Sequence, residues 1–210
     1  MVDGVIVNSL NIGAEAYAEM GLSLVGIDCD LGEASVQIAS DSYSIGELAT
    51  RRLIDDGCSR ILCLRSNSRM RMPANKRTDA YLDVVEQAGL PALVREVEFV
   101  KPDDEKSAVV AKILDENPDI DGIFAGDDTM AAICLNVMKQ RGLSAPGDIK
   151  VVGADGARRT MTFMPDLTTV RQDIDRIGEL AAQSIIALIN GEKPESNIKL
   201  PVELIEGKTA

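Results

Sequence analysis

Two apolar runs each finish on carboxylates: Ile123-Phe124-Ala125-Gly126-Asp127-Asp128 and Val151-Val152-Gly153-Ala154-Asp155. In an open α/β sheet the carboxyl ends of the strands face the ligand crevice, so side chains placed there reach a bound molecule. A carboxylate accepts hydrogen bonds and cannot donate them, so Asp127 and Asp155 suit a ligand rich in hydroxyl or amine donors. The same pair could in principle run acid–base chemistry on a glycosidic bond. Strand-end aspartates are expected in a receptor too, and the count of histidines is 0. That removes Ser-His and Cys-His dyads and the commonest catalytic metal ligand. The chain therefore reads as a receptor and not an enzyme, with no cofactor and no metal called for.

The elements that must position these groups follow from periodicity. Apolar bursts alternate with helix-period segments along the whole chain, the pattern of βα units around a parallel sheet in an α/β protein. Strands are expected over 5–7, 24–27, 36–39, 61–64, 94–99, 122–125, 150–153 and 200–205. Helices are expected over 44–56, 75–88, 106–116, 129–141 and 174–190. Four of them stop at a glycine, Gly57, Gly89, Gly142 or Gly191, as a left-handed cap requires. The segment 158–173, which includes Thr160-Met161-Thr162-Phe163-Met164-Pro165-Asp166, is neither strongly helical nor alternating and is expected to cross the surface.

Composition bounds the partners. The 210 residues carry 34 acids against 22 bases, a net charge of −12. Nucleic-acid binding depends on neutralising phosphates with Lys and Arg, so this chain alone should not bind DNA. The one basic cluster, Arg65, Arg69, Arg71, Lys76 and Arg77, could hold a small anion more easily than a duplex. Cys29, Cys58, Cys63 and Cys134 show neither metal spacing nor the density of a disulfide scaffold, and Cys63 and Cys134 read as small core residues. With no signal peptide and no apolar run approaching the ~18 residues of a membrane span, a cytoplasmic protein without membrane attachment is expected.

Taken in order, the motifs resemble the effector-binding core of the LacI/GalR family of bacterial transcription regulators. They include Val2-Asp3-Gly4-Val5-Ile6-Val7, Asp41 with Gly46 and Ala49-Thr50, Gly57-Cys58-Ser59-Arg60-Ile61, and Lys76-Arg77-Thr78-Asp79-Ala80-Tyr81. Asn117-Pro118-Asp119-Ile120-Asp121-Gly122-Ile123-Phe124, Asp127-Asp128-Thr129-Met130-Ala131 and Val151-Val152-Gly153-Ala154-Asp155-Gly156 follow. The series closes on Pro165-Asp166-Leu167-Thr168-Thr169-Val170-Arg171-Gln172 and Leu200-Pro201-Val202-Glu203-Leu204-Ile205.

The resemblance implies a two-lobed, periplasmic-binding-protein-like fold of parallel sheets flanked by helices, with an incomplete N-terminal lobe. Residues 1–40 and 172–194 would form that partial lobe, and 41–171 with 195–210 the C-terminal lobe. It further implies a small-molecule effector, a sugar or related metabolite, held between the lobes, and a homodimer. Operator DNA would be read only through an N-terminal helix-turn-helix that family members carry and this sequence does not include. A solute-binding protein of a sugar transporter shares the fold and is the alternative.

The resemblance also weights individual residues. Arg77 matches a position whose guanidinium holds effector hydroxyls or a carboxylate, a use that suits its planar fork of donors; a surface arginine at a helix start is the plainer use. Asp127 and Asp128 both stand where a strand meets a helix, where Asp satisfies free N–H groups of the first turn. One of them is expected to do only that. Asp127 is the better ligand candidate, since it occupies the place where many relatives carry Asn. Asp155 matches a ligand or hinge-side residue, against a turn aspartate before Gly156. Gln172 matches a crossover residue at the ligand cleft, against an exposed linker residue. Asp41 and Tyr43 follow the first crossover, with Ser42 in place of a family Asn, and capping competes with ligand contact there. Phe99 and Phe163 are the available aromatic platforms for a sugar, with core packing the competing use.

Overall fold

The computed structural model describes residues 2–8, 21–29, 31–32, 35–67, 73–98 and 100–210. Its strands are β1 (Gly4–Asn8), β2 (Ser23–Ile27), β3 (Val36–Ser40), β4 (Ile61–Asn67), β5 (Leu93–Glu98), β6 (Gly122–Ala125), β7 (Lys150–Asp155), β8 (Thr168–Gln172), β9 (Asn197–Leu200) and β10 (Val202–Ile205). The helices among the described residues are α1 (Ser42–Asp55), α2 (Asn75–Gln87), α3 (Asp103–Glu116), α4 (Asp128–Gln140), α5 (Arg158–Phe163) and α6 (Ile174–Ile189). None of these helices is long and apolar enough to cross a membrane.

The chain divides into two compact units. The first comprises Met1–Ser42, Met72–Ala74 and Asp173–Pro201, and the second Tyr43–Arg71, Asn75–Gln172 and Val202–Ala210. The first holds a parallel sheet of order β1-β2-β3-β9, covered by α6, whose Ile177 and Ala181 pack on Val25, Val36 and Ile38.

The second unit is a three-layer sandwich around a sheet of order β10-β8-β7-β6-β4-β5, parallel except for β10. Strand periodicity builds both cores from the same residues: along β4, Leu62 and Leu64 face α3 and α4, while Ile61 and Cys63 face α1 and α2. Covering both faces explains why β4 and β6 read as continuous apolar runs. Tyr81 on α2 joins the second core, its hydroxyl donating to the Ile61 carbonyl at 2.7 Å and accepting from the Leu93 N–H at 2.9 Å. Cys63 and Cys134 are buried, and burial pushes both thiols up to about 12.

Four helices end in one way. The glycine N–H returns to the carbonyl three residues back and the next N–H to the one five back: Gly57 to Ile54 and Cys58 to Leu53, Gly89 to Glu86 and Leu90 to Val85. Gly142 and Leu143 close α4 on Lys139 and Met138, and Gly191 and Glu192 close α6 on Leu188 and Ala187. This is the Schellman cap, and all four glycines have the positive φ it demands.

Three expectations are corrected. The segment 158–173 is not an irregular crossing, because it contains α5 and then β8, an interior strand paired with both β7 and β10. The strand expected over 200–205 is two strands in different sheets, β9 beside β3 and β10 beside β8, parted at Pro201, which has no N–H for a ladder. For the same reason 195–201 does not belong with the six-stranded sheet, as the expected boundary at 195 required; the chain changes unit after Pro201.

Candidate functional site

In the six-stranded sheet the chain order reverses around β4: β5 lies on one side of it and β6 on the other. The carboxyl ends of β4 and β6 therefore flank a topological switch point, where open α/β sheets bind ligands. Gly126, just past β6, donates its N–H to the Leu64 carbonyl at 2.8 Å. A Cβ on Gly126 would stand 2.8 Å from that same oxygen, so only glycine lets the two backbones close here.

Arg77 reaches this point from the first turn of α2. Its Nη1 donates to the Gly126 carbonyl, and its Nη2 meets Asp155 Oδ1 at 3.2 Å. Gln172, the last residue of β8, donates Nε2–H to that oxygen at 2.6 Å. Three of the sequence candidates thus meet at the carboxyl ends of β6, β7 and β8. The Arg77 side chain is only 11% exposed, so its pairing is largely shielded from solvent, while a third of the Asp155 side chain remains open. Helix α1 sets the approach of Arg77. A side chain at Gly46 would collide with the Arg77 backbone carbonyl, so the glycine permits the close crossing of α1 and α2.

Asp155 ends β7 at φ 115°, a left-handed backbone region that a non-glycine residue rarely occupies. Burial pushes its carboxyl above the usual range, Arg77 pulls it back, and the charge of Asp127 pushes it up again.

The adjacent aspartates have different tasks. Asp127 is itself the N-cap of α4, its Oδ1 accepting from the Met130 N–H at 2.7 Å. Asp128 turns into the interior, where its Oδ1 accepts the Thr169 hydroxyl at 2.6 Å and its Oδ2 the Gly156 N–H at 2.8 Å. Burial is the main cause that raises its carboxyl to about 6, opposed by those hydrogen bonds and reinforced by the charges of Asp155 and Asp127. Sequence reasoning offered Asp128 only as a possible cap and favoured Asp127 as the ligand residue; it is Asp127 that caps, and the buried role of Asp128 and its partner Thr169 was missed. The two lie 41 residues apart, and no local pattern announces that a threonine in an unrecognised strand will cover an aspartate.

The other candidates lie elsewhere. Asp41 falls in the first unit, where its carboxylate pairs with Lys199 at 3.1 Å and its N–H donates to Leu200. Tyr43 donates its hydroxyl to Asp83. Phe163 stands exposed on α5. Phe99 lies outside the described residues. Of the basic cluster, Arg65 pairs with Glu96, Lys76 with Asp79 and Arg77 with Asp155; Arg69 and Arg71 lie outside the described residues. Each described member thus has an acidic partner, which leaves little of the anion-binding character expected of it.

Residues 50–210 match the model of the periplasmic binding protein-like domain. The chain belongs to that family. Its resemblance to LacI-type regulators holds across its length. It is 32% identical over 211 residues to a sucrose operon repressor of Pediococcus pentosaceus, covering 100% of this chain and 64% of that protein. It is 30% identical over 210 residues to a ribose operon repressor of Halalkalibacterium halodurans, covering 99% of this chain and 62% of that protein. The chain therefore spans just under two thirds of these relatives. Among solved structures it is similar to the transcriptional regulator CelR in complex with cellobiose, with a TM-score of 0.88 and 28% identity over 100% of this chain and 66% of that one.

Proposed function

We propose that this chain is the sugar-sensing core of a LacI-type transcription regulator. The observation that carries the reading is the convergence of Arg77 and Gln172 on Asp155 at the switch-point end of the six-stranded sheet. Donors and acceptors held side by side on rigid strand ends match the alternating donors and acceptors of sugar hydroxyls. The names of the relatives support the same class, since sucrose, ribose and cellobiose are all neutral polyols. Both curated relatives above are operon repressors, which favours a regulator over a transporter component.

Within this reading Arg77, Asp155 and Gln172 contact the ligand, with Asp127 beside them. An effector that binds one arrangement of the protein better than another shifts the balance between them, and only that difference in affinity carries the signal. The homodimer, the cytoplasmic location and operator DNA as the downstream partner belong to the same proposal and rest on the family likeness.

The test is calorimetric titration of the chain with sucrose, ribose and cellobiose, alongside glucose 6-phosphate as an anionic control. Saturable binding of a neutral sugar that weakens at least tenfold in Gln172→Ala supports the reading. Unchanged affinity in that variant, or hydrolysis of a disaccharide during the titration, overturns it.

A further inference from the structure

Asp128 poses a question that its place at the head of a helix does not answer. The N-cap of α4 is already supplied by Asp127, whose Oδ1 takes the Met130 N–H. Asp128 is 3% exposed and, among the described residues, has no cation as a hydrogen-bond partner. A buried carboxyl without a countercharge is costly, and an apolar side chain of similar size would avoid that cost. Its two hydrogen bonds say what it does: one oxygen takes the Thr169 hydroxyl from β8 and the other the Gly156 N–H from the turn after β7. The sheet makes room for it at Gly153, where a Cβ would stand 2.5 Å from Asp128 Oδ1.

The turn that Asp128 holds carries the site. Asp155 at φ 115° and Gly156 at φ 58° are two consecutive residues with left-handed backbone. A non-glycine residue stays in such a conformation only when its surroundings over-determine it. The pairing of Asp155 with Arg171 fixes one side of the turn, and the Asp128 carboxyl fixes the other through Gly156.

We propose that Asp128 is a positioning residue for ligand binding, a buried brace that holds the Asp155–Gly156 turn so that the Asp155 carboxylate stays between Arg77 and Gln172. This rests on the sugar-sensing reading for its functional consequence, though not for the brace itself. The residue touches no ligand. It acts through the backbone of its neighbour's strand end.

Three variants test it. Asp128→Asn keeps both hydrogen bonds, since the amide oxygen accepts from Gly156 and the amide N–H donates to Thr169. Asp128→Ala removes both, and Thr169→Val removes one while preserving shape. The direct readout is the 13Cα and 13Cβ shifts of Asp155, which report its backbone conformation, in the 210-residue chain. They are expected to move towards ordinary extended values in Asp128→Ala and Thr169→Val and to stay in place in Asp128→Asn. Affinity for whichever of sucrose, ribose and cellobiose binds should fall about tenfold in Asp128→Ala, as for loss of one hydrogen bond between the ligand and a displaced Asp155, and return in Asp128→Asn. Unchanged Asp155 shifts in Asp128→Ala and Thr169→Val overturn the proposal; if Asp128→Ala fails to fold, Thr169→Val decides. If no sugar binds the unaltered chain, the sensing reading fails while the Asp155 shifts still decide the brace.

Discussion

Arg77 and Gln172 donate to the same oxygen, Oδ1 of Asp155, at 3.2 and 2.6 Å. The two donors differ in what else they support. Arg77 also holds the Gly126 carbonyl and is almost buried, so Arg77→Ala takes the countercharge from a partly buried carboxylate, which keeps its Gln172 hydrogen bond, and the donor from a backbone oxygen. That variant should lose roughly 2 kcal/mol of stability along with ligand response. Gln172→Ala removes one hydrogen bond from a half-buried strand end and should cost no more than about 1 kcal/mol. Urea unfolding of both variants, with and without sugar, separates the roles. A Gln172→Ala chain as unstable as Arg77→Ala would mark Gln172 as structural.

Asp127 offers a cleaner change of chemistry. Asparagine caps helices as well as aspartate does, so Asp127→Asn should leave stability within a few tenths of a kcal/mol, whereas Asp127→Ala should cost about 1 kcal/mol. The amide adds donors where the carboxylate has none. Asp127→Asn should therefore gain affinity for anionic or acceptor-rich ligands relative to polyols, measured as the ratio of dissociation constants for glucose 6-phosphate and the neutral sugar. A ratio that does not move places Asp127 outside the ligand's reach.

The raised carboxyl of Asp128 makes a pH prediction of definite sign. Its folded value near 6 lies above the ordinary 3.8, so between those values the native state holds more of the proton than the unfolded chain does. Stability from this group is fully present below 3.8 and is lost as pH rises through 6. The gap between 3.8 and about 6 corresponds to roughly 3 kcal/mol between the two limits. Other carboxylates, such as Asp148 with its depressed value, act in the opposite direction, so the difference between two proteins is the informative quantity. The stability of Asp128→Asn minus that of the unaltered chain should rise between pH 4 and pH 7, as urea midpoints will show. A flat difference would mean that Asp128 titrates in its ordinary range.

Much of this architecture was legible because local physics dictates it. Gly57, Gly89, Gly142 and Gly191 closed helices where their sequence spacing required, since few other residues adopt the left-handed cap without strain. The strand ends at Asp127 and Asp155 were legible because β6 and the 151–154 stretch of β7 are apolar and buried on both faces. The strand β8 was not, because hydropathy treats Thr168 and Thr169 as surface residues. Both are fully buried, and their hydroxyls are satisfied by Asp128 and by the backbone near Ala210, partners that are 41 and 42 residues away. The break at Pro201 was hidden for a related reason. The run from Leu200 to Ile205 has one strand's composition, and only the pairing partners reveal two. Which of two adjacent carboxylates turns inward was likewise a tertiary fact.

Two glycines in helices make opposite predictions that local propensity alone would not separate. Gly46 and Gly178 both lie inside helices, α1 and α6, where replacing glycine by alanine normally stabilises by about 0.5–1 kcal/mol through lost backbone entropy in the unfolded chain. At Gly178 nothing among the described residues lies within 4 Å of an added Cβ, so Gly178→Ala should show that gain. At Gly46 the new methyl meets the backbone of Arg77, which cannot swing aside as a flexible side chain would. Gly46→Ala must push α1 and α2 apart, and overpacking of this kind costs typically about 1–3 kcal/mol. Because Arg77 sits on the first turn of α2, that displacement moves its guanidinium relative to Asp155 and should weaken sugar binding as well. Thermal melts and titrations of the two alanine variants give the comparison. A Gly46→Ala protein that melts higher and binds normally would show that the α1–α2 crossing does not set the position of Arg77.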